Sequence, residues 1–267
     1  MKKLILVAFM VLALSAGAVG SALAITNGTD DGNGHPYVGS VIFDVDGVPS
    51  WRCSGALLSP TVFLTAGHCT DGATGARVWF DNPITDSLYP KGGGASIEAV
   101  EIHTAPGFCI GCAKGLPGFD THDVGVVILG TPKTLTEYAL LPALGRVDTL
   151  PMKTEITAVG YGVRFKLKIS GPPGDRWTGS RIRSVATSQL IQANDVISAE
   201  YMKVTANPAQ EKGGTCFGDS GGPNFLAGTG TILAVTSFGP NANCAGVGYQ
   251  NRIDLQYAQV FIRSFLP

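Results

Sequence analysis

One serine of this sequence stands in a setting that favours nucleophilic chemistry. Ser220 belongs to the run Gly218-Asp219-Ser220-Gly221-Gly222-Pro223, where glycines on both sides allow a tight turn around an exposed hydroxyl. The same glycines leave backbone N–H groups free to face a developing oxyanion. A lone serine hydroxyl is a weak nucleophile at neutral pH, so it needs a general base, and the base needs an orienting group.

Two other stretches supply candidates for those roles. His68 follows Leu64-Thr65-Ala66-Gly67, and Asp123 precedes the apolar run Val124 to Leu129. The motif around Ser220 also fits the G-x-S-x-G pattern of α/β-hydrolases, but that fold places its histidine after the serine. All of the histidines precede Ser220, so the chain order His, Asp, Ser excludes the α/β-hydrolase fold. They are His35, His68, His103 and His122.

The sequence predicts short strands as the elements that position these residues. Apolar or alternating stretches recur between Gly, Pro, Asn and Asp, which predicts an all-β barrel or sandwich. The stretches are Val38–Phe43, Gly55–Leu58, Arg77–Phe80, Ser96–Ile102, Val124–Leu129, Glu155–Val159, Val196–Val204 and Thr231–Phe238. The helical spacing of Leu255, Ala258 and Phe261 predicts a C-terminal helix. We expect surface loops at Asn82–Gly94 and Gly171–Gly179.

The N-terminus has the parts of a secretory signal peptide. Met1-Lys2-Lys3 is followed by an apolar run from Leu4 to Leu14 and by Ala22-Leu23-Ala24, which predicts cleavage of residues 1–24 and a secreted protein, extracellular or periplasmic. A second Ala-x-Ala at residues 16–18 leaves the cleavage site open. The formal net charge of −1 is too small to favour nucleic acid or an anionic membrane as partner. Six cysteines in an exported chain predict three disulfides, with 15 pairings open.

Four separated blocks are similar to the trypsin/chymotrypsin family of serine proteases. They are Ile25-Thr26-Asn27-Gly28, Cys53 to Pro60 running into Thr65 to Cys69, Asp123-Val124 with its apolar run, and Gly218 to Pro223. Gly160-Tyr161-Gly162 also resembles the Gly-Trp-Gly turn of that family. The resemblance covers residues 25–267 and implies an all-β fold of two packed six-stranded antiparallel barrels with the active site between them. We expect the first barrel at residues 25–142 and the second, ending in a helix, at residues 143–267.

The resemblance also implies a role for each matching residue. Ser220 would be the nucleophile, His68 the general base and Asp123 the group that orients the imidazole. The backbone N–H groups of Gly218 and Ser220 would form the oxyanion hole. An N-terminus beginning at Ile25 would fold inward and pair with Asp219. Substrate-binding residues would be Gly214, Thr215, Phe217, Ser237, Phe238 and Gly239.

The resemblance further assigns two cysteine pairs, Cys53 with Cys69 and Cys216 with Cys244. Cys109 and Cys112 then remain and could close a small loop, although a metal site with His103 and His122 is an alternative.

The pocket floor of the family lies six residues before the serine, at Gly214, which carries no charge. This predicts a preference for a large apolar or aromatic residue before the scissile bond.

The sequence thus predicts a monomeric secreted serine endopeptidase that acts on polypeptides, with protein inhibitors as further partners and without cofactor or metal. Two alternatives stay open. One is a catalytically silent homologue that acts as a binding protein, and the other is a secreted serine esterase, because acyl transfer to serine is shared chemistry.

Overall fold

The structure is a computed structural model that describes residues 28–112, 120–163, 165–167, 176–178, 181–193, 198–207 and 212–267. The predicted signal peptide, residues 1–24, and Ile25 lie outside the described residues.

Fifteen strands and two α-helices make up the described part of the chain. The strands of the first half are β1 (Thr29–Asp30), β2 (Val38–Val45), β3 (Val48–Leu57), β4 (Val62–Thr65), β5 (Gly75–Trp79), β6 (Ile97–Thr104) and β7 (Gly125–Leu129). Those of the second half are β8 (Glu155–Gly160), β9 (Phe165–Leu167), β10 (Arg176–Thr178), β11 (Ser184–Gln192), β12 (Tyr201–Ala206), β13 (Pro223–Leu226), β14 (Ile232–Phe238) and β15 (Gly246–Arg252). The helices are α1 (Gly67–Thr70) and α2 (Gln256–Arg263), and a 3-10 turn spans Val147–Thr149.

Strands β2 to β7 close into an antiparallel barrel in the order β2-β3-β4-β7-β6-β5. Its interior is filled by apolar side chains such as Val41, Phe43 and Phe63, each fully or nearly fully buried. Gly55 on β3 is required here, because a Cβ atom would stand 2.4 Å from both the Leu64 carbonyl oxygen and the Phe63 ring. The glycine therefore lets β3 and β4 approach closely just before the chain reaches α1.

The second barrel closes in the order β8-β13-β14-β15-β12-β11, with β11 pairing back onto β8. Strand β1 pairs with Ser184 and Val185 at the start of β11, where β12 does not pair, so the first described strand of the chain lies on the second barrel. Strands β9 and β10 form a separate two-stranded ribbon. The fold prediction is confirmed: the molecule has two closed six-stranded antiparallel barrels and a C-terminal helix.

The two barrels are joined by a buried arginine. Arg183 forms an ion pair with Asp31 at 2.8 Å and donates hydrogen bonds to the carbonyl oxygens of Val38 and Phe80 in the first half and to the Tyr161 hydroxyl in the second. The side chains of both ion-pair partners are only 1% exposed. The barrels are thus fixed relative to each other by a satisfied buried charge.

Two secondary-structure predictions need correction. The stretch Gly171–Gly179, predicted as a loop, contains strand β10, which pairs with β9. The strand predicted at Val196–Val204 begins at Tyr201 in the structure, and residues 194–197 lie outside the described residues. No helix within the described ranges is both long and apolar enough to cross a membrane.

Candidate active site

His68 and Asp123 are brought together by the turn that follows β4 and by the residues that precede β7. The Nδ1 atom of His68 lies 2.9 Å from Oδ2 and 3.1 Å from Oδ1 of Asp123. The backbone N–H of His68 also donates to Asp123 Oδ1, at 2.7 Å. Strands β4 and β7 are antiparallel neighbours with Thr65 opposite Gly125, so the barrel itself sets this pairing. The carboxylate fixes the orientation of the imidazole and directs Nδ1 toward itself.

The electrostatics of the pair favour an imidazolium beside a carboxylate. Burial alone lowers the pKa of His68, but the charge of Asp123, the hydrogen bond that His68 donates to it and the charge of Asp120 together raise this pKa above 6.5. Burial alone raises the pKa of Asp123, yet His68 and the hydrogen bonds from His68 and Ser237 lower it overall. Asp123 therefore stays ionised while His68 takes up a proton.

Ser237 supports Asp123 from the second barrel, a contact that sequence reasoning missed. Its hydroxyl donates a short hydrogen bond to Asp123 Oδ2. The hydroxyl of Tyr201 lies 3.5 Å from Ser237 Oγ and donates to the carbonyl oxygen of Asp120 at 3.0 Å. Ser237 was predicted only as a substrate-binding residue, and no local pattern signals its contact because 114 residues separate it from Asp123.

Ser220 lies on a tightly packed turn. Its carbonyl oxygen accepts a hydrogen bond from the N–H of Ser54 at 2.8 Å. A Cβ atom on Gly221 would meet Thr65 Oγ1 at 2.0 Å and the Ala66 nitrogen at 2.7 Å, so this glycine packs against the segment that leads to His68. Ser220 and Ser237 line one cavity. Among the described residues, the Ser220 hydroxyl has no hydrogen-bond partner, and no hydrogen bond joins it to His68.

Two backbone N–H groups of this turn are unused within the described part of the chain. The N–H groups of Asp219, Gly221 and Gly222 donate to carbonyl oxygens, whereas those of Gly218 and Ser220 donate to none. Gly218 has a φ of +94°, a left-handed conformation that favours glycine. Two unused N–H groups, one on the serine itself and one two residues before it, are an arrangement that can bind an oxyanion.

Asp219 is buried beneath the Ser220 turn. Its carboxylate accepts hydrogen bonds from the N–H of Gly162 at 2.7 Å and from that of Cys216 at 2.9 Å. Burial raises its pKa to about 6, although both hydrogen bonds and the charge of Arg52 act in the opposite direction. A Cβ atom on Gly160 or Gly162 would lie within 2.4 Å of an Asp219 oxygen. The two glycines of the Gly-Tyr-Gly turn therefore leave the space that this carboxylate occupies.

A cavity of about 220 Å³ opens beside Ser220. Its wall includes most of the predicted substrate-binding residues, and Asn241 joins them although the sequence did not indicate it. Gly214 does not line this cavity; it is buried behind Thr215, in a narrow space beside Gln250. The full lining is Thr215, Cys216, Phe217, Ser220, Thr236, Ser237, Phe238, Gly239, Asn241 and Cys244.

Three disulfides are present in the structure. Cys53–Cys69 ties β3 to α1 next to His68, and Cys216–Cys244 braces the wall of the cavity. The remaining pair is Cys109–Cys112.

His68, Asp120 and Asp123 each have a possible ligand atom within 4.8 Å of the other two. This spacing suits a divalent cation. Both oxygens of Asp123, however, already accept hydrogen bonds from His68 and Ser237, so this carboxylate serves the imidazole.

Known proteins resemble this chain in sequence and in fold. The family model described as Trypsin matches residues 25–260. Brachyurin of Leptuca pugilator is 28% identical over 217 residues, which cover 79% of this chain and 84% of that protein. Serine protease 1 of Drosophila melanogaster is 25% identical over 232 residues, which cover 82% of this chain and 77% of that protein.

Among solved structures, an HL collagenase superposes with a TM-score of 0.66 at 18% identity, covering 89% of this chain and 96% of that one. A human heparin binding protein superposes with a TM-score of 0.62 at 17% identity, and the match covers 90% of this chain and 96% of that protein's chain. These likenesses show the fold. Because the Trypsin model matches most of the sequence, the chain belongs to the trypsin family of serine proteases.

Proposed function

We propose that this protein is an active serine endopeptidase that cleaves peptide bonds through an acyl-enzyme. One observation carries the proposal: the Asp123 carboxylate holds the His68 ring and accepts a hydrogen bond from Ser237, which lines the same cavity as Ser220, and the Ser220 turn has two N–H groups without an acceptor among the described residues. A general base, a nucleophile and oxyanion donors are the complete set that acyl transfer to serine requires.

The reaction follows from these positions. His68 Nε2 takes the proton of Ser220 Oγ while the oxygen attacks the scissile carbonyl carbon, and the N–H groups of Gly218 and Ser220 stabilise the resulting oxyanion. His68 then gives the proton to the leaving amine as the C–N bond breaks. Water, deprotonated by the same imidazole, hydrolyses the acyl-enzyme. Asp123 stabilises the imidazolium in both steps and stays ionised.

Formation of the oxyanion turn would depend on the new N-terminus at Ile25. Asp219 lies beneath Ser220 with a pKa of about 6, because it is buried and has only backbone N–H groups as hydrogen-bond partners among the described residues. An α-amino group is a cation that would stabilise the ionised carboxylate. Export and cleavage after Ala24 would create that group. N-terminal sequencing of the secreted enzyme should begin at Ile25, and a start elsewhere would refute this activation step.

The substrate is expected to carry a large apolar or aromatic residue before the scissile bond. The cavity beside Ser220 is lined by neutral side chains and a disulfide, with Phe238 in its wall. A neutral wall offers no partner for a charged side chain, whose burial would then be unfavourable. The predicted signal peptide and the three disulfides support an exported protein that acts on polypeptides outside the cytoplasm.

A direct test compares the exported protein with its Ser220→Ala variant on peptides and on simple esters. We expect cleavage of peptide bonds after Phe, Tyr or Leu, with kcat lower in the variant by on the order of 10⁶. Turnover of esters without peptides would indicate an esterase. No turnover of either substrate would indicate a silent homologue, as the name of one protein of similar fold, a scabies mite inactivated protease paralogue, describes that protein.

A further inference from the structure

A second cavity, of about 610 Å³, shares no lining residue with the cavity beside Ser220. Its wall is formed by the segment before β2, the segment that follows β7, strand β8 and the turn between β13 and β14. Both halves of the chain therefore contribute to it. Ligand sites of proteins have volumes of roughly 300–1,000 Å³, so this cavity is large enough to hold a ligand.

The hydroxyl of Tyr37 is a polar group of this wall that lacks a partner. Tyr37 is only 4% exposed, and its ring packs edge-on against the rings of His35 and Phe225. Within the described part of the chain the hydroxyl makes no hydrogen bond. A Cβ atom on Gly230, which also lines the cavity, would stand 3.7 Å from this hydroxyl. Buried hydroxyls normally have a partner, so this one is placed to meet a polar group of a ligand.

Glu137 supplies a negative charge to the same cavity. Burial raises the pKa of Tyr37 to about 12, and the Glu137 charge raises it further, which places the carboxylate near the hydroxyl. Among the described residues Glu137 has no ion pair, and no lysine or arginine lines the cavity. The nearby Lys133 has its Nζ atom over the Phe80 ring, at 5.7 Å from the centroid. The carboxylate is thus available to a cation from outside.

The remaining wall offers aromatic faces and another hydroxyl. Tyr138 is half-buried, and its hydroxyl is fixed by the Lys133 carbonyl oxygen at 2.9 Å and the Leu135 N–H at 3.0 Å. The Thr157 hydroxyl on β8 makes no hydrogen bond in the described ranges. Aromatic faces attract cations, and an ammonium group has three donors and no acceptor. A carboxylate, two hydroxyl oxygens and aromatic rings are therefore the groups that an ammonium group requires.

We propose that this cavity binds an alkylammonium group, carried by the lysine side chain of a peptide or by a free amine. Glu137 pairs with its charge, the hydroxyl oxygens of Tyr37 and Thr157 accept its N–H groups, and the tyrosine rings contact the alkyl chain. The volume exceeds that of a lysine side chain, so flanking peptide can enter as well. The inference goes beyond the proposed peptidase function, because none of these residues belongs to the Ser220 site.

The test measures binding without turnover. The full secreted protein with Ser220→Ala is titrated with three probes, n-butylammonium, Nα-acetyl-lysine amide and the uncharged analogue Nα-acetyl-norleucine amide. Backbone amide NMR shifts report both the Kd and the place of binding. Because the Ser220 hydroxyl is absent, the probes are not consumed, and the outcome does not depend on whether the protein is a peptidase.

Two variants remove single groups of the site. Glu137→Gln removes an exposed charge at nearly constant size, and Tyr37→Phe removes only a hydroxyl without a partner among the described residues. Asp46→Asn is the matched control for the charge, since Asp46 is an exposed acid in the turn between β2 and β3. Tyr89→Phe is the matched control for the hydroxyl, because the Tyr89 hydroxyl is also buried without a hydrogen bond but lines a different cavity.

We expect both ammonium probes to bind with a Kd on the order of 1 mM or lower and to shift the amides of Gly34, Gly228 and Gly230. The norleucine analogue should bind at least tenfold more weakly. Glu137→Gln should raise the Kd of the ammonium probes about tenfold and Tyr37→Phe about threefold, while both controls keep the original Kd.

The comparison of the two ammonium probes identifies the source of the group. Tighter binding of the lysine amide would support a peptide, and equal or tighter binding of butylammonium would support a free amine. Equal affinity for the norleucine analogue, shifts confined to other parts of the protein, or an unchanged Kd in Glu137→Gln would each overturn the inference. None of these results would affect the peptidase proposal, which is tested by turnover at Ser220.

Discussion

At the scale of single residues, the protonation of His68 determines when the proposed enzyme can work. The imidazole faces the carboxylates of Asp123 and Asp120, and both raise its pKa above the ordinary value of 6.5. The base is active only when neutral, so activity is lost as the pH falls through this raised pKa and is complete above it. We predict an acid limb of kcat/KM centred above pH 6.5 for an uncharged substrate. A rate that stays constant down to pH 4 would contradict the role of His68.

Ser237 gives a second prediction at this scale. Its hydroxyl donates to Asp123, and a hydrogen bond to a charged group is worth about 1.5–3 kcal/mol. Ser237→Ala should therefore lower kcat by about 10- to 100-fold with an intact fold. Ser264→Ala removes an exposed hydroxyl that donates to a helix carbonyl oxygen, and it should leave kcat unchanged. Equal kcat values in the two variants would argue against support of Asp123 by Ser237.

The sequence allowed the prediction of Ser220, His68 and Asp123 as partners because each lies in a local motif. It did not indicate Ser237, Tyr201, Asp120 or Arg52 as neighbours of that group. Their contacts depend on which strands of the two barrels come together, and no local spacing records this.

At the scale of elements, the Gly160-Tyr161-Gly162 turn that follows β8 makes room for Asp219. A Cβ atom on Gly162 would lie 2.3 Å from Asp219 Oδ2, so Gly162→Ala must displace the carboxylate and the turn above it. We predict a loss of at least tenfold in kcat/KM and of about 1–3 kcal/mol in the free energy of unfolding.

The matched control is Gly230→Ala, whose Cβ atom would meet only the Tyr37 hydroxyl, at an ordinary 3.7 Å. Urea unfolding and peptide hydrolysis measure both variants. Wild-type behaviour of Gly162→Ala would show that the turn does not control the Ser220 site.

Strands were predicted best where apolar residues alternate between turn signals, as in β2 and β7. Strands β11 and β15 were missed because polar residues such as Ser188 and Gln250 occupy inward positions, where the barrel buries them. Strand β10 was missed because its neighbouring Gly-Pro-Pro-Gly run is typical of a loop, and only pairing with β9 makes it extended.

At the scale of the whole molecule, Arg183 joins the two barrels. Its guanidinium pairs with buried Asp31, and it donates to the carbonyl oxygens of Val38 and Phe80 in the first half of the chain and to the Tyr161 hydroxyl in the second. Burial alone raises the pKa of Asp31, but hydrogen bonds from His35 and Arg183 lower it overall. Arg183→Met would leave Asp31 buried without its cation, and the free energy of unfolding should fall by about 3–5 kcal/mol.

Thermal or urea unfolding measures this loss, and Arg146→Met is the control, because within the described residues the Arg146 side chain donates only to Thr149. A Tm of Arg183→Met equal to that of the control would refute the joining role. The two-barrel architecture was predictable only through resemblance to a family, since strand patterns alone left a barrel and a sandwich equally open.

The central claim is that Ser220 is a nucleophile activated by His68, and covalent labelling tests it most directly. The secreted protein is treated with a fluorophosphonate, and the modified peptide is identified by mass spectrometry. We predict one label per molecule on Ser220, lost in Ser220→Ala, slowed strongly in His68→Ala and slower as the pH falls below the raised pKa of His68. Absence of label on Ser220 in folded, correctly processed protein, or labelling at the same rate without His68, would contradict the account.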